Sequence, residues 1–288
     1  MSQLKKILVH ESKPISAGAI LTYNIPSFDT VDDIILEFTN SGAAATLANI
    51  KSGIGKVALN INGEQVINVP FTRLCDVYSS LGVEVTQSLV NCLGLNIGRY
   101  LFKDPDNEDF FAWGCNNIQT IQLQVYCNGT VTGLTDLQVS TVRRAVKQNL
   151  GSYIKVINYP QTMASTGMSV VDTLPRDNNE AYLEILAHNG GGVISGGECV
   201  VNGVSVYDPI SQALDDYVVN ARGLGAVSGN FNYAFADGSI KCILPMIGVT
   251  ELRVKTNFTT APTNSVYDLV AVTIRNVPDA MLKAAAAS

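Results

Sequence analysis

The chain has 288 residues, which at about 150 residues per domain allows one large domain or two ordinary ones. Hydrophobic residues make up 47%, too many for a disordered chain, while charged residues make up only 15% against a usual ~25%. With 19 Lys+Arg against 25 Asp+Glu the net charge is −6. That excludes general binding to nucleic-acid phosphates and leaves a weakly charged surface suited to burial in an assembly.

At the N-terminus, Lys5-Lys6 precede only Ile7-Leu8-Val9 before His10 and Glu11, too short an apolar run for a signal peptide. No run of about 18 apolar residues occurs, so no membrane-spanning helix is expected. Strand-like segments follow one another: Ile20–Ile25, Asp33–Phe38, Lys56–Ile61, Ile118–Tyr126, Ala181–Leu186, Glu198–Val201, Glu251–Thr256 and Asp268–Ile274. Several alternate apolar and polar, as in Ile121-Gln122-Leu123-Gln124-Val125, the pattern of a sheet with one buried face. Helix-like stretches are few: Phe71–Ser80, Ile210–Asn220, a basic stretch from Arg143 to Leu150 before Gly151, and the alanine-rich C-terminus from Ala280. The six cysteines, Cys75, Cys92, Cys115, Cys127, Cys199 and Cys242, form no C-x-x-C pair and read as mostly buried free thiols. The sequons at Asn128 and Asn257 carry no weight without secretion.

Four blocks recur in the same order. Ser16-Ala17-Gly18 with Pro26 matches Ser165-Thr166-Gly167 with Pro175, and at that spacing Ile34 and Leu36 fall on Leu183 and Ile185. Asn62-Gly63 with Val66, Leu74 and Asp76 matches Asn202-Gly203 with Val206, Leu214 and Asp216. Ile118, Ile121 and Leu123 match Val249, Leu252 and Val254, and Leu134 to Val142 match Val266 to Ile274. The chain therefore reads as two copies of one β-unit, residues 1–150 and 151–288, each with an Asn-Gly hairpin suited to a type I′ turn and a helix following it. The predicted class is all-β: two tandem eight-stranded jelly-roll sandwiches with short connecting helices.

On these residues, and on Val31-Asp32-Asp33-Ile34-Ile35-Leu36, Leu174-Pro175-Arg176 and Leu252-Arg253-Val254-Lys255, the sequence resembles the double jelly-roll major capsid proteins of tailless icosahedral bacteriophages with an internal membrane, most closely the corticovirus type. The resemblance implies a structural coat protein of the virion, assembled in the host cytoplasm. It implies a homotrimer with a pseudo-hexagonal outline, upright jelly rolls, and an icosahedral shell around a lipid vesicle. Neighbouring trimers, a penton or vertex protein and the membrane surface would be its partners, without sequence-specific nucleic-acid binding. The short loops imply a low-relief outer surface.

An active site is not expected. Ser195 lacks the first glycine of a nucleophile elbow, Gly55-Lys56 fails both ends of a P-loop, and Gly223-Leu224-Gly225 lacks the third glycine of a dinucleotide fingerprint. Asp32-Asp33 and Asp215-Asp216 are adjacent in sequence and do not read as catalytic dyads; His10 and His188 stand alone. No cofactor is expected. The one candidate metal site, for structural Ca²⁺, is the acidic loop of Asp104, Asp106, Glu108 and Asp109, which fails the EF-hand pattern. Trp113 beside Phe110-Phe111 reads as core or subunit contact. Lys5, Lys6, Arg143, Arg144 and Lys147 are the membrane-facing candidates, each worth about 1 kcal/mol beside anionic lipid. The competing reading is a β-sandwich receptor- or carbohydrate-binding protein of a phage, a spike or lectin; a β-sandwich glycosidase would need a carboxylate pair that the sequence does not offer.

Overall fold

A computed structural model describes residues 5–82, 91–98, 111–235 and 243–277. Contacts divide the chain into two units, residues 1–75 with 84–154, and residues 76–83 with 155–288.

The first unit contains β1 (Lys5–Val9), β2 (Lys13–Pro14), β3 (Ile20–Ile25), β4 (Thr30–Asn40), β5 (Ala43–Ala44), helix α1 (Leu47–Gly53), β6 (Ile54–Ile61), β7 (Glu64–Pro70), the start of helix α2 (Phe71–Ser80), β8 (Cys92–Gly94), β9 (Ile121–Cys127) and β10 (Asp136–Arg144). One sheet runs β1-β10-β4-β8, extended by β2 and β5; the other runs β3-β9-β6-β7. The second unit contains β11 (Tyr153–Thr162), β12 (Gly167–Val171), β13 (Glu180–His188), β14 (Val193–Val201), β15 (Val204–Ser211), helix α3 (Gln212–Ala221), β16 (Asn230–Ala234), β17 (Leu244–Pro245), β18 (Leu252–Thr260) and β19 (Val266–Arg275). Its sheets run β11-β19-β13-β16, extended by β17, and β12-β18-β14-β15. Strand for strand the two orders coincide. First, eighth, third and sixth form one sheet, and second, seventh, fourth and fifth the other, which is the jelly-roll connection made twice.

The alternation that predicted the strands is what the sheets bury. In β9, Ile121, Leu123, Val125 and Cys127 point inward; in β18, Leu252, Val254, Thr256 and Phe258 do. Tyr182, Ile185, Ala187, Phe231, Tyr233, Phe258 and Tyr267 fill the interior of the second roll, with the Phe231 and Tyr233 rings 4.8 Å apart and tilted by 53°. Trp113 and Phe111 are buried in the core of the first, and Trp113 bridges to Val31.

Both hairpins are type I′ as expected. Asn62 and Gly63 have φ of 51° and 82°, and Asn202 and Gly203 have 48° and 79°. The repeat extends to the hydrogen bonds. Asn62 Oδ1 accepts from the backbone of Gln119 and Thr120, and its Nδ2 donates to Asn117 O. Asn202 Oδ1 accepts from the backbone of Thr250 and Glu251, and its Nδ2 donates to Gly248 O. Each asparagine thus ties its hairpin to the strand that enters the same sheet last.

Three expectations change. The basic stretch from Arg143 is not a helix: Arg143 and Arg144 end β10, and residues 145–150 have no regular structure. Lys5 and Lys6, the membrane-facing candidates at the N-terminus, stand on a strand, β1, that the sequence did not indicate. Residues 210–211 finish β15, because Ser211 caps α3 by accepting from Leu214 N at 3.3 Å. At the other end, Gly223 (φ 74°) closes α3 with paired bonds, Gly223 N to Asn220 O and Leu224 N to Val219 O. The first of the near-fingerprint glycines is therefore a helix cap. The C-terminal helix expected from Ala280 lies outside the described residues.

Candidate functional site

β1 runs antiparallel to β10 with Lys5 opposite Arg144 and Lys6 opposite Arg143, so the structure gathers four of the five basic candidates at one end of one sheet. Their side chains part company there. Arg144 is buried, with Nε donating to Asp32 Oδ1 at 2.6 Å. Arg143 is buried too: Nε donates to Thr141 Oγ1 at 2.9 Å, Nη2 to Pro26 O at 2.7 Å, and the guanidinium lies 4.6 Å from the centre of the Phe28 ring. These two arginines hold the interior of the first unit together and are not offered to a membrane from this surface. Lys5, Lys6 and Lys147 are exposed. Asp104, Asp106, Glu108 and Asp109 lie outside the described residues.

The adjacent acids Asp32 and Asp33 are both buried because the register shifts between Val142 and Arg143, leaving Asp32 as the extra residue of a bulge. Asp33 Oδ1 accepts from the backbone of Ile34 and Asn96, while Asp32 faces Arg144. Both carboxylates are structural.

The polar centre of the second unit lies along β16, which among the described residues pairs with β13 alone. Its open side is closed by side chains. Gln212 Nε2 donates to Asn230 O, Tyr207 OH to Asn232 O, and Arg222 Nη1 to Ala234 O; Asp215 Oδ2 accepts from Asn232 N. Helix α3 and Tyr207 thereby stand in for the missing neighbour strand. Burial, only partly offset by the Tyr207 and Asn232 bonds, pushes the Asp215 carboxyl up to about 6. Burial pushes Glu184, on β13, further, to about 8. Its Oε2 lies 2.8 Å from Ser80 Oγ, which is also 2.8 Å from Val77 O. One hydroxyl proton cannot serve two acceptors, so the arrangement is complete when Glu184 carries the proton and donates to Ser80.

None of this forms a reactive constellation. Ser195 exchanges hydrogen bonds with Asn257 rather than with a base. His10 Nε2 meets Thr141 Oγ1 at 3.2 Å, its pKa lowered by burial and by Arg143, and His188 Nδ1 accepts from Gly190 N. A shallow cavity of about 350 Å³ on the outer face of the β12-β18-β14-β15 sheet is lined by Met168, Gly196, Gly197 and Ile210, but its charged groups, Glu198 and Lys255, neutralise each other at 2.9 Å. No group of three His, Cys, Asp or Glu that could hold a metal occurs among the described residues, and no described helix is long and apolar enough to cross a membrane. Cys115, Cys127 and Cys199 are free and buried, Cys92 is free and exposed, and Cys75 is buried. Exposed apolar side chains are the remaining surface feature: Ile7 and Val9 on β1, Val204 and Val206 on β15, Leu214 and Tyr217 on α3. Sequence reasoning passed over these, because a period-two or helical pattern does not say which apolar face has no cover.

Residues 9–142, just under half of the chain, match the family model of the viral coat protein P2 N-terminal domain. No curated protein matches the sequence. Among solved structures, the major capsid protein P2 from bacteriophage PM2 is similar at a TM-score of 0.79 and 14% identity, covering 96% of this chain and 99% of that one. The STIV major capsid protein is similar at 0.67 and 13%, covering 95% and 97%, and the PBCV-1 virus capsid at 0.64 and 10%, covering 94% of each. Residues 9–142 thus match a viral coat protein domain, and the chain as a whole, two jelly rolls in tandem, shares the fold of these double jelly-roll capsid proteins.

Proposed function

We propose that three copies of this chain form a pseudo-hexagonal capsomer that tiles an icosahedral shell around an internal membrane. The observation that carries the reading is the duplication itself. Three chains of two like rolls place six similar bodies around a threefold axis, and such an outline packs edge to edge in a shell. A coat subunit needs area and closed sheets rather than a cleft, and weak lateral contacts among many capsomers sum to a stable shell. Neighbouring capsomers and a vertex protein are the protein partners in this reading. Lys5, Lys6 and Lys147, the basic candidates that remain exposed, are the groups available to anionic lipid.

Light scattering on a sizing column tests the capsomer. A single species near three times the 30.8 kDa chain mass is expected. A chain that stays monomeric at every protein, salt and divalent-cation concentration would remove the trimer from the proposal.

A further inference from the structure

Asn-Gly pairs occur at Asn62, Asn128, Asn189 and Asn202. In such a pair the glycine nitrogen can attack the preceding side-chain amide, because glycine has no side chain to stand in the way. By sequence these four pairs are alike; by structure they are not. Asn62 and Asn202 are pinned through both atoms of their amides to residues 117–120 and 248–251. Asn128 donates from Nδ2 to Ser52 O at 2.7 Å. Neither His10 nor His188 bonds to the glycine of any of these three pairs.

Asn189 lies in the turn between β13 and β14, and there three groups meet. The Gly190 N–H donates to His188 Nδ1 at 3.0 Å, so the attacking nitrogen already faces a base. The Gly191 N–H donates to Asn189 Oδ1 at 3.0 Å, so the amide carbon is polarised and the oxyanion created by attack has its donor in place. That bond also folds the side chain back over the Gly190 peptide. The peptide itself is fixed. Gly190 has φ 58°, its carbonyl accepts from Thr263 N at 2.9 Å, and a Cβ on it would collide with Val266 O. Asp268 stands directly opposite His188 in the neighbouring strand, where a carboxylate favours the imidazolium that forms when His188 takes a proton. His188, Asn189 and Gly190 are half-buried and Gly191 is exposed, so water reaches the turn.

The first roll has the same turn without this chemistry. At the spacing that places Ile34 on Leu183, Asn40, Ser41 and Gly42 fall on Asn189, Gly190 and Gly191. The φ values of 51° and 82° at Ser41 and Gly42 match 58° and 83° at Gly190 and Gly191. Thr39 stands in place of the histidine, and the Ser41 N–H donates to the hydroxyl of Thr135, which is no base.

We propose that Asn189 is a site of self-modification, in which Gly190 N attacks Asn189 Cγ with His188 as general base and the resulting succinimide is opened by water. The N–Cγ bond forms as His188 Nδ1 takes the N–H proton, and the carbonyl electron pair moves onto Oδ1 beside the Gly191 N–H. The pair returns as the Cγ–Nδ2 bond breaks, and Nδ2 leaves as ammonia with the proton that His188 held. Water then adds to one of the two imide carbonyls, and ring opening leaves an aspartyl or an isoaspartyl residue at position 189. Either product places a new negative charge on the turn. The isoaspartyl form also routes the main chain through the side-chain methylene and so lengthens the β13–β14 connection.

The test is peptide mapping by mass spectrometry of the purified full-length chain after timed incubation at neutral pH. Asn189 is expected to convert about ten-fold or more faster than Asn62, Asn128 or Asn202 in the folded chain, and unfolding in urea is expected to bring the four rates together. His188→Gln keeps an acceptor for the Gly190 N–H but cannot carry its proton. It is expected to slow conversion of Asn189 by about ten-fold or more and to leave the other three unchanged. Should that variant fail to fold, the comparison of the four pairs in the wild-type chain still decides, because it needs no substitution. Equal rates in the folded chain, a lead for Asn189 that survives unfolding, or a folded His188→Gln protein with wild-type conversion overturns the proposal.

Discussion

Arg144 brings a permanent charge into the interior of the first roll, and Asp32, 112 positions away, answers it. Removing one partner of such a pair strands the other, so Arg144→Ala is expected to lower stability by about 3–5 kcal/mol, read as a fall in the urea midpoint. Exposed lysines such as Lys147 should be nearly neutral to substitution. Composition groups Arg143, Arg144 and Lys147 as one basic stretch; what separates them is the two-residue register of β10, in which Leu137, Val139, Thr141 and Arg143 share the buried face. The sequence held that alternation, but the partner that makes a buried arginine acceptable lies in another strand. Glu184 sets a pH dependence of opposite kind. Its folded pKa, raised to about 8 from an ordinary 4.5, means that the folded state holds a proton that the unfolded chain releases. The stability tied to that proton is complete below about pH 4.5 and is lost as pH rises through about 8, on the order of 4–5 kcal/mol in all. Asp215, raised to about 6, acts in the same direction over the lower part of the range. Melting temperature is expected to fall between pH 5 and 8.5, and Glu184→Gln, which keeps a donor toward Ser80, should flatten the upper part of that fall. An unchanged slope in the variant would assign the dependence elsewhere.

Among the elements, the Asn-Gly hairpins carry the repeat most plainly. Their positive φ values were predictable from residue type, whereas the grip of Asn62 on residues 117–120, and of Asn202 on 248–251, needs the fold. Asn62→Ala or Asn202→Ala loses both the turn preference and several hydrogen bonds. A loss of about 1–3 kcal/mol is expected for each, similar in the two rolls, by equilibrium denaturation. The central strands β4, β6, β9, β13, β18 and β19 were legible because one face is apolar and the period is two. β14 was legible only over its last residues, since Gly196-Gly197 hides the pattern where the strand bulges against β15. β1 and β11 escaped notice for a different reason. Each sits beside a run of lysines or a hinge, and its strand character comes from a neighbour in the sheet rather than from its own composition. Helix α3 shows the same limit: its position was readable, but not that Gln212, Asp215 and Arg222 serve the main chain of β16.

At the scale of the molecule, duplication and fold class were readable from four ordered blocks, because like folds require like punctuation. The difference between the copies was not, since Val66 and Val206, or Leu74 and Leu214, are equivalent letters in unequal surroundings. One feature of the topology governs how the chain is made. In each roll the eighth strand lies inside its sheet, β10 between β1 and β4, and β19 between β11 and β13. A nascent chain cannot close the first roll until Asp136–Arg144 has left the ribosome, and the second until Val266–Arg275 has. Translation that stops before Val266 leaves β11 and β13 without the strand between them, and α2, half of which packs with the second unit, without its seat. Products that end before the eighth strand therefore cannot complete the sheet that needs it, and each roll can close only when its last strand is present.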